Sequence, residues 1–329
     1  MLMLYFGKSK SKVNGMREFS SIGSARSILN EVGKAIVGKD EVLIKALLAI
    51  LAGGHILMED IPGVGKTTLA VSMSRALGLE YNRVQFTPDV LPSDITGYSL
   101  YDKNSGTMLY QKGAILCNLF LADELNRATS RTQSALLQAM EEGEVTVDNR
   151  TYPVPQPFVV IATQNPTGAK GTQMLPDSQM DRFMIRLTMG YPEHADEIEM
   201  VRRKQNGISA ESVRQIVTQE QLIALRQEVD QVYVKDSMID YIVSLCEKTR
   251  SHPRILQGAS PRASLALTSL AKAAAWLQKR DYVLPQDVRF NFYDCIDHRM
   301  IWRQETADPS ARAEVLSEIL RTVKAPAIV

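Results

Sequence analysis

The chain has 329 residues, 45% of them hydrophobic and 23% charged, with a net charge of +1. This is room for one large and one smaller domain around a real core, and it excludes a disordered or fibrous chain. Charge is also spread evenly: four basic residues against one acidic in 1–20, fifteen against seventeen in 21–190, nineteen against nineteen in 191–329. No segment is basic enough for a protein that tracks a nucleic-acid backbone, so nucleic acid is not the expected partner.

Residues 1–20 open with Met1-Leu2-Met3-Leu4-Tyr5-Phe6 and continue with Lys8, Lys10 and Lys12. The apolar part is too short for a signal-peptide core and the charges lie on its wrong side, so this reads as a flexible tail. No later segment reaches the length of a membrane span. Cys117, Cys246 and Cys295 are odd in number and far apart in the chain. That suits reduced thiols and a cytoplasmic location. His55, His194, His252 and His298 lack metal-ligand spacing and read as structural.

From 24 to about 52 the apolar spacing is helical, broken at Val37-Gly38-Lys39-Asp40. A strand at 56–59 runs into Pro62-Gly63-Val64-Gly65-Lys66-Thr67-Thr68, and a helix follows. Strand, glycine turn and helix start are the context of a phosphate-binding loop. Glycines let backbone N–H groups converge on phosphate oxygens, and the helix start turns its positive end toward the anion. Lys66 is placed for the β- and γ-phosphates of ATP, and the Thr67 hydroxyl for Mg²⁺. The general pattern G-x-x-x-x-G-K-[ST] asks for glycine at 60, where this chain has Asp60.

A second strand is expected at 81–86, a hairpin at 97–110, and a third sheet strand at 119–122 ending in Asp123-Glu124. A helix follows, with Ser130-x-x-Gln133 read as a capping box and Gly143 as its stop. A second hairpin at 144–152 turns at Asp148-Asn149. A fourth strand at 158–162 ends near Asn165, and a fifth covers about 183–188. Five apolar strands separated by helices predict an α/β fold with a parallel sheet covered on both faces. Chemistry then gathers at the strands' carboxyl ends. There Asp123 is placed to hold Mg²⁺, Glu124 to orient and deprotonate a water, and Asn165 to bond the γ-phosphate or that water. After 190 the pattern is helical, with helices expected at 194–205, 219–231, 236–250, 261–279 and 285–300. The division is thus a tail at 1–20, a nucleotide-binding domain at 21–190 and a helical lid at 191–329. Arg182, before the fifth strand, is read as facing a neighbouring subunit. Arg262, at the start of a lid helix, is read as pointing toward the nucleotide. Arg127 is a second candidate inter-subunit contact, and Val37 and Gly38 are candidates for lining an adenine pocket.

Together these stretches resemble the AAA+ ATPases, and within them the MoxR family. The resemblance runs from about residue 25 to the C-terminus. It rests on Met58-Glu59-Asp60-Ile61-Pro62-Gly63-Val64-Gly65-Lys66-Thr67, Gln85-Phe86-Thr87-Pro88-Asp89-Val90-Leu91-Pro92-Ser93-Asp94, Leu121-Ala122-Asp123-Glu124-Leu125-Asn126-Arg127-Ala128, Ala162-Thr163-Gln164-Asn165-Pro166, Gln179-Met180-Asp181-Arg182-Phe183 and Gly258-Ala259-Ser260-Pro261-Arg262. It accounts for Asp60, since MoxR-like loops often read Glu-Asp-x-Pro-Gly. It implies Lys66 and Thr67 as Walker A, Asp123 and Glu124 as Walker B, Asn165 as sensor 1, Arg182 as arginine finger and Arg262 as sensor 2. The hairpins look like the helix-2 and pre-sensor-1 inserts. By resemblance the assembly is a ring, a hexamer, with ATP and Mg²⁺ between sheet tip and lid. The implied partner is a protein with a von Willebrand factor A domain, and the implied task is chaperone-like maturation or metal insertion. The alternative is a nucleic-acid motor, which the even charge disfavours. A scaffold that binds nucleotide without hydrolysing it is disfavoured by Glu124.

Overall fold

The computed structural model describes residues 21–104, 106–165, 175–306 and 308–327, so the expected tail at 1–20 lies outside the described residues. Five strands make one parallel sheet: β1 (Ile56–Glu59), β2 (Tyr81–Gln85), β5 (Leu119–Asp123), β8 (Val159–Gln164) and β9 (Ile185–Leu187), in the order β2-β5-β8-β1-β9. The central strands β5 and β8 are buried along their whole length, as strands covered on both faces must be. Alternation sorts their side chains. Leu119 and Leu121 point into a layer with Ile28, Leu47 and Leu69 of helices Ser21–Ala35, Asp40–Leu51 and Lys66–Ala76. Phe120 and Ala122 point the other way, onto Leu136 and Leu137 of helix Ser130–Glu142. Edge strand β2 is mostly exposed, which leaves room for polar Asn82, Arg83 and Gln85.

Two hairpins leave this scaffold: β3 (Gly97–Asp102) with β4 (Thr107–Lys112), and β6 (Glu144–Val147) with β7 (Arg150–Pro153). Asp148 and Asn149 both have positive φ, the two-residue turn that favours such residues. Tyr110 and Tyr152 stack with ring centroids 3.8 Å apart and join the hairpins. One local expectation needs correcting. Helix Ser130–Glu142 is capped by Thr129, whose side chain accepts from the Thr132 N–H, so Ser130 is the first helical residue and not the cap. Two hydroxyl residues stand side by side there, and only the extended φ/ψ of Thr129 separates them. Gly143 closes the helix in the left-handed conformation.

The C-terminal part is a helical unit: His194–Gln205, Gln219–Asp230, Asp236–Arg250, Pro261–Leu277, Pro285–Ile296 and Pro309–Thr322. Helix Pro261–Leu277 is its centre, with Ala263, Leu267, Leu270, Ala271 and Ala274 fully buried. Small side chains on several faces let neighbouring helices approach it from more than one side. The last helix was not foreseen, and neither was the ribbon of β10 (Ile255–Gln257) with β11 (Ile301–Trp302), whose strands are too short to show a period.

The helical unit is fastened to the β9 side of the sheet by paired charges. Arg186 binds Glu59 at 2.7 Å and also Asp297. Arg299 reaches Asp181 at 2.7 Å and donates to the Phe183 carbonyl at 2.6 Å. The His298 Nε2 lies 2.9 Å from the same carbonyl. Buried charges of this kind cost desolvation and are held by the quality of their pairing.

Candidate functional site

The loop after β1 curls as the glycines require. Gly63 and Gly65 have φ of +84° and +99°, a conformation costly for any residue with a Cβ. Gly65 is the N-cap of helix Lys66–Ala76, and its carbonyl accepts from the Leu69 N–H. Pro62, Gly63, Gly65, Lys66, Thr67 and Thr68 line a cavity of about 380 Å³, with Arg83, Gln85, Asp123, Glu124, Thr163 and Asn165 on its other walls. Of the residues singled out in the sequence, those after β1, β5 and β8 therefore converge at one end of the sheet. Val64 lies in the same loop, packed against the larger core. Val37 and Gly38 are not among the residues lining this cavity. Gly38, at φ +70°, has the Asp196 carboxylate against its α-carbon.

The acidic pair is held from several sides. The Thr163 hydroxyl donates to Asp123 Oδ1 at 2.6 Å and accepts from the Glu124 N–H at 2.8 Å. Arg83 donates to Asp123 Oδ2 at 2.6 and 3.2 Å, and also to Gln85. Register brings them together, because Gln85 pairs with Asp123 and Arg83 with Leu121 across β2 and β5. Glu124 is in the left-handed region, φ 56° and ψ 45°, which costs a residue other than glycine roughly 1–3 kcal/mol. Its side chain lines the cavity. Arg127, read in the sequence as a candidate inter-subunit contact, binds it within the chain at 2.8 Å. Buried Asn126 donates to the Asn165 carbonyl at 3.2 Å and sets the backbone there. Lys66 Nζ donates to the Asp60 carbonyl at 2.6 Å. Burial pushes the Lys66 pKa down, against the opposing pull of Asp60, Asp123 and Glu124.

Arg83, Gln85 and Thr163 are the residues that sequence reasoning missed. The available signal was weak: two polar residues at i and i+2 on a short edge strand, and a hydroxyl ending an otherwise apolar one.

Arg182 and Arg262 lie elsewhere. They share a second cavity, of about 330 Å³, with Gly54, His55, Glu141 and Arg299. Gly54 and His55 precede β1, so this cavity is at the amino edge of the sheet, away from the phosphate loop. Arg182 donates to the Leu137 carbonyl at 2.7 Å and pairs with Glu141 at 3.0 Å, and Arg262 binds the other oxygen of Glu141. Arg262, expected to point toward the nucleotide, thus sits in this cavity and not at its own chain's phosphate loop. Its helix begins where Ser260 Oγ bonds Asp181 at 2.8 Å, beside Arg182. The described residues of the helical unit also contribute none of the lining of the phosphate-loop cavity.

Residues 55–185 match the ATPase family associated with various cellular activities (AAA), and 247–319 match the AAA lid domain. The chain is 36% identical over 308 residues to Chaperone MoxR1 of Mycobacterium tuberculosis, covering 91% of this chain and 81% of that protein. The chain belongs to the MoxR family of AAA+ ATPases. A further relative is the uncharacterized protein YeaC of Bacillus subtilis, 42% identical over 299 residues, covering 91% of this chain and 93% of that one. A crystal structure described as that of a putative ATPase from Cytophaga hutchinsonii superposes with a TM-score of 0.86 at 37% identity, covering 93% of this chain and 96% of that one. The MoxR-family chain is accordingly a nucleotide-binding ATP hydrolase.

The donor set also suits the divalent cation that such enzymes use. Thr67 offers a hydroxyl oxygen and Asp123 a carboxylate, the hard ligands of Mg²⁺. Among the described residues no group of three or more His, Cys, Asp or Glu could hold a metal. The three cysteines are free and buried, and burial pushes Cys117 and Cys295 up to about 12. No helix among the described residues is long and apolar enough to cross a membrane.

Proposed function

We propose that the chain hydrolyses ATP at the interfaces of a ring, a hexamer, and uses the cycle to remodel a protein client. In this reading the N–H groups of loop 62–68 cradle the phosphates and Lys66 binds the β- and γ-oxygens. Thr67 and Asp123 would hold Mg²⁺, which supplies charge neutralisation on those oxygens. Glu124 accepts the proton of the attacking water, and Asn165 orients that water or the γ-phosphate. The observation that carries the reading is the convergence of Gly63, Gly65, Lys66, Thr67, Asp123, Glu124 and Asn165 on one cavity at the carboxyl ends of the strands.

Arg182 and Arg262 act on the nucleotide of the adjoining copy. What supports this is their shared seat on Glu141 at the opposite edge of the sheet, out of reach of their own phosphate loop. Delivered in that way, a guanidinium fork meets the charge developing on the transferring phosphoryl group, worth about 10³–10⁵ in rate in related enzymes. The client would be a protein with a von Willebrand factor A domain, and the task chaperone-like maturation or metal insertion. Similarity to the chaperone MoxR1 of Mycobacterium tuberculosis supports the chaperone-like task. The two hairpins would meet the client. Tyr98, Leu100, Tyr101, Met108 and Leu109 on β3 and β4 are all exposed, an apolar surface of the kind that partners cover.

The test is a mixing experiment. Glu124→Gln lacks the base, and Arg182→Ala lacks the finger but keeps the base. Each alone should show little ATPase activity, and mixed they should recover part of it. Activity that is absent from the mixture, or full in Arg182→Ala alone, would remove the inter-subunit assignment.

A further inference from the structure

Asp60 stands where the general phosphate-loop pattern has glycine, and the structure gives it an unusual amount to do. Its side chain is buried at 5% exposure and accepts three backbone N–H groups. Oδ1 takes Ile61 at 2.8 Å, and Oδ2 takes Met189 at 2.6 Å and Gly190 at 2.7 Å. Its main-chain carbonyl holds the Lys66 ammonium at 2.6 Å. One residue therefore grips the lysine of the phosphate loop with its backbone and the exit of β9 with its carboxylate. A carboxylate with several N–H donors is a strong, directional anchor.

A separate contact joins the same two segments. A methyl group on the Gly65 α-carbon would lie 3.6 Å from Met189 Cε, so the Met189 side chain sits beneath the loop. Gly190 then turns the chain at φ +62°. Next, the Tyr191 carbonyl accepts from Lys39 Nζ at 2.9 Å, and the Asp196 carboxylate lies on Gly38. Residues 188–196 are thus held between the phosphate loop and the turn at 37–39 on their way into helix His194–Gln205, the first helix of the helical unit.

We propose that Asp60 is a coupling residue: it makes the placement of residues 188–205 follow the state of the phosphate loop. A triphosphate offers Lys66 an anionic partner stronger than a neutral carbonyl. When Lys66 leaves that carbonyl, the residue that loses it is the one whose carboxylate positions Met189 and Gly190, at a turn with backbone freedom to respond. Asp60 here is a positioning residue and touches no reacting atom. The inference rests on nucleotide binding at the loop.

The experiment compares full-length wild type with Asp60→Asn and Asp60→Gly by hydrogen–deuterium exchange, with and without ATPγS and Mg²⁺. Asp60→Asn keeps the shape but turns an amide toward N–H donors, and Asp60→Gly restores the general motif. In wild type, ATPγS should slow exchange in both 60–68 and 188–205. In the variants it should still slow 60–68, with affinity within about tenfold, one hydrogen bond's worth. The change in 188–205 should be lost. A purely structural role would lower affinity and both responses together. Should Asp60→Asn pass the full response to 188–205, or should wild type bind ATPγS with no response there, the coupling role is overturned. Failure of wild type to bind ATPγS at all would instead remove the site assignment on which it rests. Asp60→Asn decides the matter if Asp60→Gly does not fold.

Discussion

Thr163→Val tests how the acidic pair is held. Valine matches threonine in shape, so the buried strand β8 keeps its packing, and Thr163 is only 1% exposed. Two bonds disappear. Asp123 Oδ1 loses its 2.6 Å donor, and the Glu124 N–H loses its 2.8 Å acceptor where the backbone is left-handed. A hydrogen bond to a charged group contributes roughly 1.5–3 kcal/mol, and a buried N–H left unpaired costs about 1–3 kcal/mol. The two share one hydroxyl and do not add fully, so a loss of about 2–5 kcal/mol is expected, within the total stability of an ordinary domain. The variant should therefore fold with a lower urea midpoint and an unchanged m-value. Catalysis should fall further than stability implies. Glu124 would lose the contact that fixes its backbone N–H, and a base shifted by about 1 Å costs roughly 10²-fold in kcat. Thr163→Ser keeps the hydroxyl and should recover most of both properties. Wild-type turnover and wild-type stability in Thr163→Val would show that this hydroxyl does not organise the site.

Glu124→Gln should bind ATP but lose about 10²–10⁴ in turnover, measured as phosphate release against nucleotide affinity. Phe120→Ala empties a fully buried position between β5 and helix Ser130–Glu142, and should cost about 3–5 kcal/mol in urea unfolding. His55 is buried and neutral, its Nδ1 accepting from Val160 N–H at 3.0 Å and its Nε2 lying 3.1 Å from the Met140 carbonyl. Burial lowers its pKa to about 4. Between about 4 and the unfolded value near 6.5 the unfolded chain binds more protons, so stability is complete above about 6.5 and falls as pH drops toward 4. The expected loss is about 3 kcal/mol by denaturant titration at stepped pH, with a shallower slope in His55→Gln. Buried His298, also depressed, adds to the slope in the same direction.

The sheet and the phosphate loop were legible in the sequence because their signals are local. Continuous apolar runs mark strands buried on both faces, and the Gly63-x-Gly65-Lys66-Thr67 spacing can do little but curl around an anion. Five of the six α-helices beyond 190 followed from their period, yet the two- and three-residue strands of the ribbon carried no period to read. Thr129 and Ser130 could not be ranked as caps without their φ and ψ.

What the sequence by itself determined is the class of chemistry and the strand ends that carry it, since those depend on residue type and spacing along one stretch of chain. Tertiary structure alone decided who holds whom. Arg83 meets Asp123 because β2 lies beside β5, and Arg127 turns back on Glu124. Asp60 reaches Met189 and Gly190 because β9 ends beside β1. Arg262 joins Arg182 on Glu141 at the far edge, not at its own phosphate loop. Each of these pairings joins residues distant in sequence or depends on a backbone conformation, and side-chain charge alone cannot choose among the partners that folding brings within reach.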